Sequence, residues 1–145
     1  MKRKNIFLVL PAIILLGLVG CGPPEVEATS PANGESNVSV TRGQSVDFST
    51  NTITVTFSKS AYINPYSSKA TISPVPVAVS TASAHSGDLG MLTFSDDESL
   101  LYLYYSSDYK LTANTTHTIA VEGLWNSSSY MGQKSEQYSF SFVTQ

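Results

Sequence analysis

Few side chains in this 145-residue chain could carry chemistry. Cys21 supplies the only thiol, so no disulfide can form within the chain. The two histidines, His85 and His117, would act as catalytic bases only with a nucleophile and an orienting group beside them. Two histidines without further thiolates also fall short of a structural zinc site. We expect His85 to be solvated in a polar hairpin tip. Cys21 is therefore the side chain with the clearest candidate chemistry, which is modification of its thiol.

The only acidic cluster is Asp96-Asp97-Glu98. Oxygen ligands suit calcium, but a calcium loop needs six to eight ligands at set spacing, often around a glycine. Adjacent acids mostly point apart, which favours a solvated turn and leaves calcium binding open. The sequence shows no paired carboxylates, no Gly-rich phosphate loop and no Gly-x-Ser-x-Gly elbow. We therefore expect no catalytic residue, no metal and no cofactor, and the protein is not predicted to be an enzyme.

The N-terminal stretch has the pattern of an export signal. Basic residues at positions 2–4 precede an apolar run from Ile6 to Gly20, which ends just before Cys21. A basic head, a short apolar core and small residues at a cleavage site are the signature of a removed signal peptide. The run is shorter than the roughly 20 residues that span a bilayer, and Pro11 interrupts it. Residues 1–20 are thus predicted to be a cleaved signal.

The stretch Leu18-Val19-Gly20-Cys21 resembles the end of a bacterial lipoprotein signal peptide. The resemblance implies that the Cys21 thiol receives a diacylglyceryl group and that cleavage leaves Cys21 as the first residue. Two or more acyl chains, such as palmitate, hold a protein on a membrane stably, whereas one holds it marginally. Gly22, in place of Asp, implies the outer membrane where the host has two membranes, and otherwise the outer face of the cell membrane. The alternative is an ordinary secretory signal.

The net charge of the exported chain excludes some classes of partner. Loss of the three basic residues at positions 2–4 leaves five basic against eleven acidic residues, a net charge of −6. Such a chain is not expected to bind nucleic acid, which requires basic patches. The remaining 125 residues are enough for one domain with its own core.

Strand patterns dominate the rest of the chain. Residues 21–28 are interpreted as the lipidated N-terminus and a tether stiffened by Pro23 and Pro24, and residues 29–145 as one domain. Alternating or β-branched runs predict strands over 38–40, 51–58, 70–73, 75–83, 91–95, 100–105, 116–122 and 138–144. Leu111 is expected to plug the core. Short strands with turn signals between them predict an all-β, Greek-key β-sandwich of seven to eight strands.

The order of several motifs resembles the bacterial Ig-like domains of S-layer and other cell-surface proteins, of the SbsA-like kind. The matching motifs are Ser30–Gly34, Val38–Val40, Ile53–Lys59, the acidic turn Asp96-Asp97-Glu98 followed by Leu100–Tyr105, Leu111, Thr115–Val121 and Phe140–Thr144. The resemblance implies an Ig-like fold and a surface location, and no chemistry. His117 stands where the family usually has Tyr, which implies that its ring packs at a strand corner and bonds to backbone. The loop from Gly123 to Gly132 lacks the usual Asp-x-x-Gly-Asn motif.

Aromatic residues suggest a ligand face. Tyr102 and Tyr104 should project from one side of a strand, opposite Leu101 and Leu103, and Trp125 lies in a predicted loop. Exposed rings bind sugars or protein partners well because they bury much area at low entropy cost. The alternative is that the tyrosines stabilise the sheet as cross-strand pairs and that Trp125 caps the core.

These expectations combine into one functional hypothesis. The chain is predicted to be a lipid-anchored Ig-like module of the cell envelope with a non-enzymatic binding or structural role. Its partners would be the membrane, through Cys21, and an envelope protein or glycan. The alternative is a carbohydrate-binding surface lipoprotein that uses Tyr102, Tyr104 and Trp125.

Overall fold

Nine antiparallel strands form in the part of the chain that the structure describes. The computed structural model describes residues 22–44, 51–79 and 85–145. In chain order the strands are β1 (Val26–Ser30), β2 (Ile53–Phe57), β3 (Lys69–Ser73), β4 (Val77–Ala78), β5 (Gly90–Thr93), β6 (Leu100–Tyr104), β7 (Tyr109–Lys110), β8 (Thr116–Glu122) and β9 (Tyr138–Val143). Within those three ranges, no helix is long and apolar enough to cross a membrane.

The alternation of apolar residues and threonines that predicted β2 also determines which face of the strand is buried. Ile53, Val55 and Phe57 are 0, 0 and 4 % exposed, while the threonines between them are half-buried. β-branched residues fit both faces of such a strand because their side chains pack well on a pleated surface. The same pattern buries Leu101 and Leu103 of β6 and leaves Tyr102 and Tyr104 half-buried on the other side.

The strand order is that of an Ig-like Greek key. One sheet has the order β1-β2-β6-β5, and a second has the order β3-β8-β9. If the short β4–β7 pair is set aside, these two sheets correspond to the A-B-E-D and C-F-G sheets of a constant-type Ig sandwich. The predicted all-β sandwich is confirmed.

A single apolar core lies between the two sheets. Its members come from both sheets and include Val55 and Ile119, each 0 % exposed, on the second and sixth strands of the seven-strand Ig order. Ig domains with a disulfide place the bonded cysteines on those two strands, so here aliphatic packing occupies that part of the core. Leu111 is fully buried, as predicted for a core plug.

The structure corrects the predicted tether at residues 21–28. β1 begins at Val26, inside that stretch, and pairs with β2 from Val26↔Phe57 to Ser30↔Thr54. An edge strand needs a partner on one side only, and Glu27 and Ala28 face solvent. A strand of this kind lacks the apolar alternation of a half-buried strand, which is why the sequence pattern did not reveal it.

Two other predicted strands differ from the structure. Within residues 38–40, only Val38 pairs with another strand region, in an isolated parallel bridge to Thr144. The Val38 N–H donates to the Val143 carbonyl, whereas the Val40 carbonyl accepts from Leu111 N–H. With different partners at successive residues, no continuous ladder forms. The predicted strand over 75–83 is reduced to β4, and its last residues lie outside the described part of the chain.

Candidate functional site

The chain is held firmly to the domain directly after Cys21, which itself lies outside the described residues. The Gly22 carbonyl accepts hydrogen bonds from Lys59 Nζ at 2.7 Å and from Asn126 Nδ2 at 2.9 Å. Lys59 follows β2 and Asn126 follows β8, so both sheets contribute to this contact. We call this the Gly22 end of the sandwich. Consequently residues 22–25 offer little of the free length expected of a tether.

Tyr102 and Tyr104 lie on the outer face of the four-stranded sheet, on the side opposite Leu101 and Leu103. Tyr102 stands between Thr54 of β2 and Leu92 of β5 in the register, and its ring meets the Phe94 ring edge-on at 5.5 Å between centroids. Phe94 is 53 % exposed. This face therefore carries the cross-strand aromatic pairing that the structural alternative predicted.

The Tyr104 ring rests on Gly90 of the neighbouring strand. A Cβ atom at Gly90 would lie 2.3 Å from Tyr104 Cζ, so the ring occupies the space of the missing side chain. Gly90 is opposite Tyr104 in the β5–β6 register. The glycine thus determines where this ring lies.

Trp125 belongs to a different part of the molecule. Its main chain pairs with Tyr62, and its indole Nε1 donates to Ser67 Oγ at 3.2 Å. Its ring meets the Tyr130 ring edge-on at 6.2 Å. Trp125 precedes Asn126 and so lies at the Gly22 end, whereas Tyr104 ends β6 at the opposite end of the four-stranded sheet. The three rings of the predicted ligand face do not form one platform.

A cleft lined by polar and aromatic residues lies at the far end of the sandwich, includes Tyr104 and was not predicted. Its volume is about 450 Å³, and the residues that line it are Gln44, His85, Asp88, Gly90, Tyr104, Tyr105, Ser106 and Ser107. We call it the distal cleft. Three separate segments of the chain contribute to it, so no local motif marked it in the sequence.

His85 is part of the wall of this cleft and is half-buried, which corrects its predicted solvation in a hairpin tip. Its Nε2 lies 2.8 Å from the Asp88 carbonyl oxygen. Its ring meets the Tyr109 and Tyr105 rings edge-on, at 5.1 and 6.0 Å. Tyr105 is 2 % exposed, and desolvation by burial raises the pKa of its phenol. The aromatic contacts therefore hold the imidazole in a fixed position.

An apolar groove of about 290 Å³ opens at the Gly22 end, between the edges of the two sheets. Its lining is mainly apolar: Pro23, Pro24, Val26, Phe57, Val121, Leu124 and Tyr138, with Glu25, Ser135 and Glu136. No residue expected to carry chemistry lies in it.

The acidic turn bonds to itself and its neighbours. Asp97 Oδ1 accepts from Ser99 N–H at 3.1 Å and from Ser99 Oγ at 2.8 Å. Hydrogen bonds from Ser95 and Ser99 lower the pKa of Asp97, and a hydrogen bond to Glu98 raises the pKa of Tyr62. In the described ranges, no group of three or more His, Cys, Asp or Glu side chains could hold a metal ion.

His117 occupies the corner position as predicted. It is 0 % exposed, its Nδ1 lies 3.1 Å from Pro74 O and its Nε2 lies 3.3 Å from Thr112 O. The ring also stacks on Phe142, with centroids 6.0 Å apart. In a tyrosine corner, a side chain near the start of the sixth Ig strand forms a hydrogen bond with the backbone a few residues upstream. His117 and Thr112 O have this arrangement. His117 therefore joins backbone segments and takes no part in a catalytic arrangement.

This role predicts the effect of two substitutions at His117. His117→Phe keeps an aromatic ring but removes the ring nitrogens, so the part-buried hydrogen bond to Pro74 O is lost, which costs about 0.5–1.5 kcal/mol. His117→Tyr restores a donor and should cost clearly less. Urea unfolding of both variants measures the difference. Equal stability of the Phe variant and the parent would contradict the corner role.

Two antiparallel sheets in Ig order around one core define the class of this protein as an Ig-like β-sandwich. Residues 22–144 match the family described as "Bacterial Ig-like domain", and the chain belongs to that family.

Solved structures similar to the chain include "Structure of surface layer protein SbsC, domains 1-6" and "Crystal structure of the S-layer protein rSbsC(31-844)". Each is 17% identical over 84% of this chain, with a TM-score of 0.44. The chain spans 14% of the length of each. No curated protein matches it.

Proposed function

We propose that this protein is a lipid-anchored module of the cell envelope, held to its membrane through Cys21, with a non-enzymatic binding or structural role. The observation that carries the proposal is the position of the domain relative to the cysteine. The Ig-like family match begins at Gly22, directly after the one thiol in the chain. That thiol closes a stretch with the pattern of an export signal.

The contacts of Gly22 add an orientation to this proposal. Consecutive Cα atoms are about 3.8 Å apart, so acyl chains on Cys21 would attach very close to the point where Lys59 and Asn126 hold Gly22. The Gly22 end would then lie next to the membrane. The domain would stand on its lipid with almost no spacer, and the distal cleft would face away from the bilayer.

Replacement of the thiol tests the anchor. Cells that express the chain are fed an alkyne analogue of palmitate, and the purified protein is assayed for label and for intact mass. The parent should carry label and a mass that starts at Cys21, whereas Cys21→Ser should lose the label to background because no other thiol is present.

Gly22→Ala is the matched control, since it keeps the thiol and the nearest atom to the added Cβ is Lys59 Nζ at 3.5 Å. It should be labelled like the parent. A parent protein that is cleaved but unlabelled would refute lipidation and favour an ordinary secretory signal.

Carbohydrate binding is the alternative function, and one observation favours it. Tyr104, one of the three predicted face residues, lines a cleft together with polar side chains. Trp125 lies at the other end of the molecule, so a sugar site would centre on Tyr104 and would not use the three rings together.

A further inference from the structure

We infer that the distal cleft is a binding site for a neutral saccharide, about one or two sugar rings in size. The inference deepens the binding role proposed above, and only the statement that the cleft faces away from the membrane rests on lipidation at Cys21. The cleft volume of about 450 Å³ falls within the range of roughly 300–1,000 Å³ typical of small-molecule sites.

The cleft combines one aromatic surface with several hydrogen-bonding groups. The Tyr104 ring offers an apolar face on which the C–H side of a pyranose can pack. The Asp88 carboxylate has two acceptor oxygens, which suit neighbouring sugar hydroxyls. Ser107 adds a hydroxyl that can both donate and accept, whereas the Ser106 hydroxyl already bonds the Asp108 carboxylate and N–H. A concave site with a mainly apolar lining and a few placed polar groups is the usual composition of a ligand site.

Two side chains of the cleft, Gln44 and His85, are already held in position. Gln44 Nε2 donates to the Tyr109 carbonyl at 2.5 Å, which directs the amide oxygen of Gln44 as a remaining acceptor. His85 is held by the Asp88 carbonyl and by the Tyr109 ring. Since immobilising side chains on binding costs free energy, a site with fixed groups loses less affinity to ordering.

Charge favours a neutral ligand. Among the described residues that line the cleft, Asp88 is the only acid and none is Lys or Arg. A phosphate, sulfate or uronic acid would meet a carboxylate without a compensating cation, and like charges close together are unfavourable. The hydroxyl groups of a neutral sugar are uncharged, so they are not repelled by the Asp88 carboxylate.

Gly90 has a positioning role in this site. The Tyr104 ring lies where a Gly90 Cβ would be, at 2.3 Å from Cζ, so Gly90→Ala must displace the ring. Gly90 does not have a positive φ, so alanine is compatible with the backbone there. The substitution should therefore weaken binding by moving Tyr104, without removing any side chain from the cleft.

The position of the cleft agrees with an outward-facing site. β6 begins at Leu100 and ends at Tyr104. The Ser99 carbonyl, directly before Leu100, accepts a hydrogen bond from Phe57 N–H. Phe57 ends β2 just before Lys59, at the Gly22 end, so the cleft lies a strand length away, about 17 Å at roughly 3.3 Å per residue.

Calorimetric titration of the purified full chain tests the inference. The probes are glucose, galactose, N-acetylglucosamine and their disaccharides, with glucuronic acid as an anionic analogue. At least one neutral sugar should bind, and glucuronic acid should bind more weakly than that sugar. Asp88→Asn, Tyr104→Ala and Gly90→Ala should each weaken binding about tenfold or more, while Tyr104→Phe should keep most of it.

Trp125→Ala is the matched control, because it removes an aromatic ring at the opposite end. It should leave affinity unchanged, with folding of each variant checked by circular dichroism. If Tyr104→Ala does not fold, Asp88→Asn carries the test. The inference is overturned if no neutral sugar binds, if glucuronic acid binds more tightly than the neutral sugars, or if Trp125→Ala weakens binding and Asp88→Asn does not. Because binding is measured in solution, these outcomes are independent of whether Cys21 is lipidated.

Discussion

Replacing Phe142 by alanine should lower the free energy of unfolding by about 3–5 kcal/mol, the usual cost of truncating a buried Phe. Phe142 is 0 % exposed in β9 and stacks on the His117 ring. Its removal leaves a cavity between the two sheets, because close-packed neighbours relax only partly into the space. Urea denaturation followed by Trp125 fluorescence measures the change.

Ser139→Ala is the control for this result. Ser139 lies in the same strand with its side chain exposed, and surface substitutions away from special features are usually within about 0.5 kcal/mol of neutral. A loss for Phe142→Ala as small as that for Ser139→Ala would mean that the inner and outer faces of β9 are reversed.

Gly123→Ala should also be strongly destabilising. Gly123 follows β8 with φ +74°, and an added Cβ would lie 2.2 Å from the Ser67 carbonyl oxygen. The left-handed conformation alone costs an L-residue about 1–2 kcal/mol. The collision is with backbone, so the loop must move as well. We expect a total loss of at least about 2 kcal/mol, at the upper side of ordinary point mutants.

Gly34→Ala separates the two contributions. Gly34 has a similar φ of +83°, but nothing lies within 4 Å of its added Cβ. It should therefore show the conformational cost alone. Equal losses of unfolding free energy for the two alanine variants would show that the Ser67 contact has no energetic weight.

Sequence patterns were sufficient for much of the fold. β2, β8 and β9 were predicted within two residues of their ends because each alternates apolar and polar side chains, and every second residue of a half-buried strand must face the core. The corner role of His117 was also predicted, because the resemblance to bacterial Ig-like domains places His117 where the family usually has Tyr. β1 was not, since an exposed edge strand needs no apolar face.

The candidate site was much less accessible from sequence. Tyr102 and Tyr104 were placed correctly on one outer face, because side-chain direction along a single strand follows from its period of two. Their distance from Trp125 depends on how two sheets pack and on where each strand ends. The distal cleft depends on the same packing, which brings Gln44 and His85 next to Tyr104.

The sequence by itself therefore determined the fold class and most of the buried faces, since burial imposes a local period that can be read one strand at a time. Only the tertiary structure decided which side chains share a surface. In the tertiary structure Trp125 lies at the Gly22 end, residue 22 bonds to segments that follow both sheets, and a cleft lined by polar and aromatic residues lies at the opposite end. Contacts between residues far apart in the chain leave no mark on local periodicity, and all three of these features depend on such contacts.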